Sequence, residues 1–126
     1  MCASSIEDYE TNKIKKHEKT LQKKEEDRTK LTDIQSANIG PVFLTYKGGE
    51  AITEKVQEIA SSVDTYGDIV TPKDRVRHRL WLIDPAENRF FEEEFKKIDS
   101  TYVADGHHRS AAAYNVGKKR REQALL

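Results

Sequence analysis

The sequence has one cysteine, Cys2, so no internal disulfide can form and a disulfide-stapled secreted scaffold is excluded. No apolar run approaches the roughly 18 residues that a membrane-spanning helix needs. The first residues lack the basic-then-apolar order of a secretory signal, since Met1 to Ser5 leads at once to Glu7, Asp8 and Glu10. These absences point to a reducing, soluble compartment, the cytoplasm by default, and to no membrane partner. An excess of charge of one sign is also missing: 22 Lys+Arg balance 22 Asp+Glu. That argues against a polybasic nucleic-acid binder, with Lys118 to Arg121 the one strong basic cluster. Apolar residues are scarce too, 36% of the chain against 35% charged, where about 45–50% and about 25% are usual. The 126 residues suit a single domain, one able to bury about two thirds of its surface. So thin an apolar supply reads as a marginal domain, or as an internal part of a larger fold.

What is present is an alternation of strand-like and helix-like segments. Ala3 to Tyr9 reads as a short strand. Residues 13–30 are densely charged and turn into a helix whose apolar side carries Leu31, Ile34 and Ala37 before Gly40 and Pro41 stop it. Val42 to Tyr46 is a run of strand formers, expected to be buried. Ile52, Val56, Ile59 and Val63 recur at helical spacing and predict an amphipathic helix. Residues 76–83 alternate as a strand partly covered on both faces. Asp84, Pro85 and Glu87 spell a helix start in which the glutamate returns a hydrogen bond to the cap, followed by a buried stripe of Phe91, Phe95 and Ile98. Thr101 to Ala104 is a further strand, and residues 107–116 a helix ended by Gly117. The expected class is α/β or α+β, a mixed sheet with flanking helices.

The densest chemistry is Asp105-Gly106-His107-His108-Arg109, at the junction between the last strand and the last helix. A helix start offers unpaired N–H groups and partial positive charge; Gly106 permits close backbone approach, and imidazole and guanidinium add donors. The segment reads as an anion cradle. Successive helical residues lie about 100° apart, so one histidine is expected to face a ligand and the other a structural partner. In a second cluster, Glu18 is the only acid among Lys15, Lys16, His17 and Lys19. Such a carboxylate stays ionised and can accept a proton from a substrate hydroxyl. In a third, Trp81 is suited to stack on a base, with Arg79 and His78 beside it. The histidines also admit a metal-dependent hydrolase, but no His-x-x-Glu-His or Cys-x-x-Cys spacing marks a structural zinc site. Mg²⁺ shared between Asp105 and nucleotide phosphates needs no sequence fingerprint.

Five blocks in order, Ile14 to Thr20, Lys24 to Arg28, Gly40 to Tyr46, His78 to Trp81 and Ala104 to Arg109, resemble the prokaryotic family called domain of unknown function 1015. Its Asp-Gly-His-x-Arg segment is similar to the nucleotide-binding motif of the ParB/sulfiredoxin-like superfamily, which includes kinases of free serine. The resemblance implies a ParB/sulfiredoxin-like fold and phosphoryl transfer from ATP or ADP to the hydroxyl of free L-serine. It implies Glu18, Asp105 and His107 as catalytic, Gly106, His108, Arg109, His78, Arg79 and Trp81 at the nucleotide, His17 and Arg28 in the substrate pocket, and Mg²⁺ at Asp105. Members of the family are longer, so the chain is expected to be one partial domain, 1–126, completed by further segments or by self-association. The other expectation is a non-catalytic nucleotide-binding or regulatory module.

Overall fold

In the computed structural model, which describes residues 1–126, the chain runs α1 (Ile6–Glu10), β1 (Ile14–Lys15), α2 (Gln22–Gln35), β2 (Phe43–Tyr46) and α3 (Glu50–Ser62). It continues through β3 (Gly67–Val70), β4 (Arg77–Leu80), a 3₁₀ turn (Pro85–Glu87), α4 (Asn88–Lys96), β5 (Thr101–Asp105) and α5 (His107–Ala124). Helices combine with one mixed and one antiparallel sheet, so the fold is α+β. No helix is long and apolar enough to cross a membrane. The residues group into two compact units, Met1–Lys47 with Asp99–Leu126, and Gly48–Ile98.

In the first unit β5 is the central strand. It pairs parallel with β1 through Ile14 and Thr101, and antiparallel with β2 through Leu44 and Val103. Burial follows that placement: Val103 is 1% exposed, whereas β2 alternates between exposed Phe43 and Thr45 and half-buried Leu44 and Tyr46. The expectation that the Val42–Tyr46 run is buried therefore fails, because β2 is an edge strand with one face open to solvent. The register between β2 and β5 shifts between Phe43 and Leu44, so that Ala104 is the extra residue on β5 just before the strand ends.

α5 adds buried Ala111, Ala112 and Val116 to this core, beside buried Ile14 of β1. Small side chains let α2 lie close along α5, and polar pairs join the two helices. Asn115 Nδ2 donates to Glu25 at 2.8 Å and to Thr29 Oγ1 at 3.3 Å. Lys119 and Arg120 reach Asp33 at 2.7 and 3.0 Å. Glu25, Thr29 and Asp33 recur every fourth residue and so form one stripe. That stripe faces α5, while the expected apolar side is left open to solvent, Ile34 being 72% exposed. α2 also ends earlier than Gly40-Pro41, at Ser36 in the left-handed conformation (φ 52°).

The segment read as a strand at Ala3–Tyr9 is instead α1. Ser5 caps it, its hydroxyl accepting from the Glu7 N–H at 3.2 Å, and Glu7 and Asp8 place negative charge in its first turn. Capping outweighs the weak strand propensity of five residues. α1 also explains why Gly117 does not stop α5, which runs on to Ala124. A Cβ at position 117 would stand 2.9 Å from Ile6 Cδ1, so glycine serves the close approach of α1. Around this contact Tyr9 and Tyr114 stack at 5.1 Å, Tyr114 donates to Glu10 at 2.8 Å, and Arg121 bonds Glu7. With Lys118 3.6 Å from Glu10, every cation of the Lys118–Arg121 run meets an acid of α1 or α2.

These acids make the packing pH-sensitive. The Ser5 hydroxyl, with backbone and Arg121 donors, holds the Glu7 carboxyl at about 2 against its usual 4.5. Hydrogen bonds from Lys119 and Arg120 lower Asp33, and those from Thr20 and Asn115 lower Glu25. A carboxyl lowered in the folded state binds fewer protons than the unfolded one, so its stabilisation is present above the unfolded pKa and vanishes as acid protonates the native state. Thermal melts are thus expected to give a Tm that falls as pH drops from 4.5 toward about 2, less steeply in Asp33→Asn. A flat Tm over that window contradicts this account.

In the second unit, α3 buries Ile52 and Ile59 while Val56 and Val63 remain about half exposed, a narrower stripe than expected. Asp84 accepts from the Ala86 N–H at 2.9 Å with Pro85 at the first helical position, as the sequence predicts. Glu87 does not return to this cap but pairs with Lys55 of α3 at 3.1 Å. Phe91 and Phe95 are half-buried and Ile98 is buried. β3 and β4 form an antiparallel pair with Asp68 receiving both donors of Arg77, at 2.8 and 2.5 Å. All four β4 residues are exposed rather than partly covered on both faces, since this sheet has only two strands.

Candidate functional site

The strand-to-helix turn depends on Gly106, whose φ of +94° lies where a Cβ is disfavoured. A side chain there would also stand 3.1–3.3 Å from the Arg109 guanidinium. Gly40, at φ +76°, packs against the same group from β2's leading loop, a Cβ there falling 3.1 Å from Nη1. Two glycines thereby hold one planar cation. Arg109 Nη2 donates to Asp105 Oδ2 at 2.7 Å, and Nη1 donates to the Pro41 carbonyl. The guanidinium expected to meet phosphate is thus committed to a chain-internal pair that locks the turn. Gly106 is the N-cap of α5, and no side chain, that of Asp105 included, makes a capping hydrogen bond there. The N–H groups of His107, His108 and Arg109 keep the partial positive charge that favours anions.

Against this turn lies the loop between β1 and α2, which carries Lys16 to Leu21. The Leu21 N–H donates to His108 Nε2 at 3.1 Å, placing the proton of that neutral imidazole on Nδ1. His108 is therefore the histidine with a structural partner. His107, 7% exposed, faces the loop instead. Its Nδ1 stands 4.0 Å from Glu18 Oε2, and its ring meets that of His17 edge-on at 4.5 Å between centroids. His107 Nε2 is buried with no hydrogen-bond partner. An unpaired buried polar atom costs roughly 1–3 kcal/mol. Glu18 itself is about half exposed, accessible to a small molecule from outside.

Of the residues singled out from the sequence, His17, Glu18 and Asp105 to Arg109 come together in the first unit, through elements almost ninety positions apart. Arg28 is exposed on α2. His78, Arg79 and Trp81 belong to the second unit, where the Arg79 guanidinium lies over the Trp81 ring at 5.2 Å and His78 is exposed. Sequence reasoning missed Glu25, which accepts from Thr20 and Asn115 and so ties the end of the His17–Thr20 loop to α5. Its carboxyl is lowered by those two hydrogen bonds. Sequence reasoning also missed Gly40 and Pro41 as supports of Arg109, their only signal being a glycine-proline pair before a strand. A surface groove of about 550 Å³ runs between α2 and α5, bordered by Glu25, Thr29, Asp33, Asn115 and Lys119.

A family model described as "Protein of unknown function (DUF1015)" matches residues 1–125. No curated protein and no solved structure matches the chain.

Proposed function

Because the chain belongs to the DUF1015 family, we propose that it is a nucleotide-dependent small-molecule kinase that transfers a phosphoryl group from ATP or ADP to the hydroxyl of free L-serine. The observation that carries this reading is the approach of Glu18 to within 4.0 Å of His107 at the uncapped start of α5. A base and an anion-favouring helix start are thereby adjacent. In the reaction the serine hydroxyl oxygen bonds phosphorus, the bond from phosphorus to the nucleotide's bridging oxygen breaks, and the hydroxyl proton passes to the Glu18 carboxylate. The N–H groups opening α5 hold phosphate oxygens, and the Arg109–Asp105 pair keeps that turn in shape. His17 and Arg28 contribute to binding the amino acid.

Mg²⁺ fits Asp105 as a hard ion on a single carboxylate: the residue is exposed, Oδ2 is held by Arg109, and Oδ1 remains available beside the nucleotide's own oxygens. When bound it neutralises charge developing on the transferred group. The test is incubation of the protein with L-serine, Mg²⁺ and either ATP or ADP, with O-phosphoserine read by mass spectrometry. Product dependent on protein and nucleotide supports the proposal; none, beside an active serine kinase under the same conditions, overturns it. The engagement of Arg109 with Asp105 and Pro41 favours a second reading, a non-catalytic nucleotide-binding module. Nucleotide then raises Tm while no phosphoserine forms.

A further inference from the structure

His17, Glu18 and His107 each present one potential ligand atom, all within 4.8 Å of one another. We propose that these three side chains form a binding site for one divalent transition-metal ion of the zinc class. Two imidazoles and a carboxylate are a donor set suited to borderline d-block ions, in contrast to the oxygen-only sets that Mg²⁺ and Ca²⁺ select. The protein supplies three ligands, which leaves a position for water or an exogenous group, as in zinc sites with an open coordination place.

The geometry requires a modest closure. Tetrahedral zinc with bonds near 2.0–2.1 Å separates its donors by about 3.3 Å. His107 is fixed by burial at the start of α5, while His17 and Glu18 are exposed on the loop and can turn about their own side-chain bonds. His107 is also a buried imidazole without a hydrogen bond to explain it, since Glu18 stands at 4.0 Å from Nδ1 and Nε2 has no partner. A metal ion shared with Glu18 takes Nδ1, the nitrogen that faces the carboxylate. Spacing rules cannot find such a site, because its ligands come from a loop and from a helix start that only the β1–β5 pairing brings together.

This inference does not rest on the kinase reading. The two use Glu18 differently: a metal ion on the carboxylate withdraws its lone pair from proton transfer, so zinc is expected to suppress any phosphoryl transfer the chain performs. The deciding readout is the ion itself. Chelator-stripped protein is titrated with Zn²⁺ in excess Mg²⁺ by calorimetry, and separately with Co²⁺ by visible absorption. The expected result is one ion per chain, d–d absorption bands with Co²⁺, and at least tenfold weaker binding in His17→Ala and in Glu18→Gln, with Cys2→Ser unchanged. Both weakening variants lie on an exposed loop and leave the folded core intact, which far-UV circular dichroism checks. The absence of stoichiometric binding, or equal affinity in the wild type and both loop variants, overturns the site.

Discussion

On the proposed kinase reading, Glu18→Gln is expected to reduce phosphoserine formation by roughly 10²–10⁴-fold, the usual contribution of a positioned general base. That loss corresponds to about 2.7–5.5 kcal/mol of transition-state stabilisation. The amide keeps the shape of the side chain and its reach toward His107 but has no lone pair basic enough to take the serine proton. Since Glu18 is about half exposed and makes no bond shorter than its 4.0 Å approach to His107, the folded state loses almost nothing. The expected pattern is a fall in kcat with little change in the KM for nucleotide, because the N–H groups opening α5 are untouched. Equal kcat in wild type and variant removes Glu18 from the chemistry; a rise in nucleotide KM at constant kcat makes it a binding group.

Val103→Asp is expected to unfold the first unit at neutral pH. Val103 is the most deeply buried large side chain, at the middle of β5, opposite Leu44 of β2. The substitution removes the burial of a valine, about 1.5–3 kcal/mol. It also places a carboxyl where nothing bonds it, so the group must take a proton to stay inside, at a further cost of several kcal/mol at pH 7. A domain with 5–15 kcal/mol of stability and little apolar material has no margin for that. Circular dichroism and urea unfolding should show loss of the cooperative transition, whereas Val103→Ala should keep it and lose about 2 kcal/mol. A cooperative Val103→Asp protein within about 2 kcal/mol of wild type would mean that β5 is not the centre of the core.

Much of the helix and strand content is readable from local signals. Asp84 and Pro85 announce the 3₁₀ turn into α4, and Thr101 to Gly106 announces a strand broken at a left-handed glycine, because these signals act within one turn of chain. Errors concentrate where neighbours decide. Leu31 and Ile34 have helical spacing, yet α2 presents Glu25, Thr29 and Asp33 to α5, since paired polar groups fix its rotation. Gly117 looks like a stop signal and proves to be a seat for Ile6. At the site, Asp105 to Arg109 and Glu18 stand out by composition alone. That Arg109 turns inward to Asp105 and Pro41 is not readable, because its partners depend on a loop sixty-eight residues away.

By itself the sequence determined the family, the alternation of helix and strand, and the residue types available for chemistry, because motifs, caps and breakers operate over a few bonds of backbone. Only the tertiary structure decided which of those residues meet. The β1–β5 pairing draws the His17–Glu18 loop onto the start of α5, and burial then leaves His107 without a hydrogen-bond partner. Both outcomes follow from packing among segments distant in the chain, which no local pattern encodes.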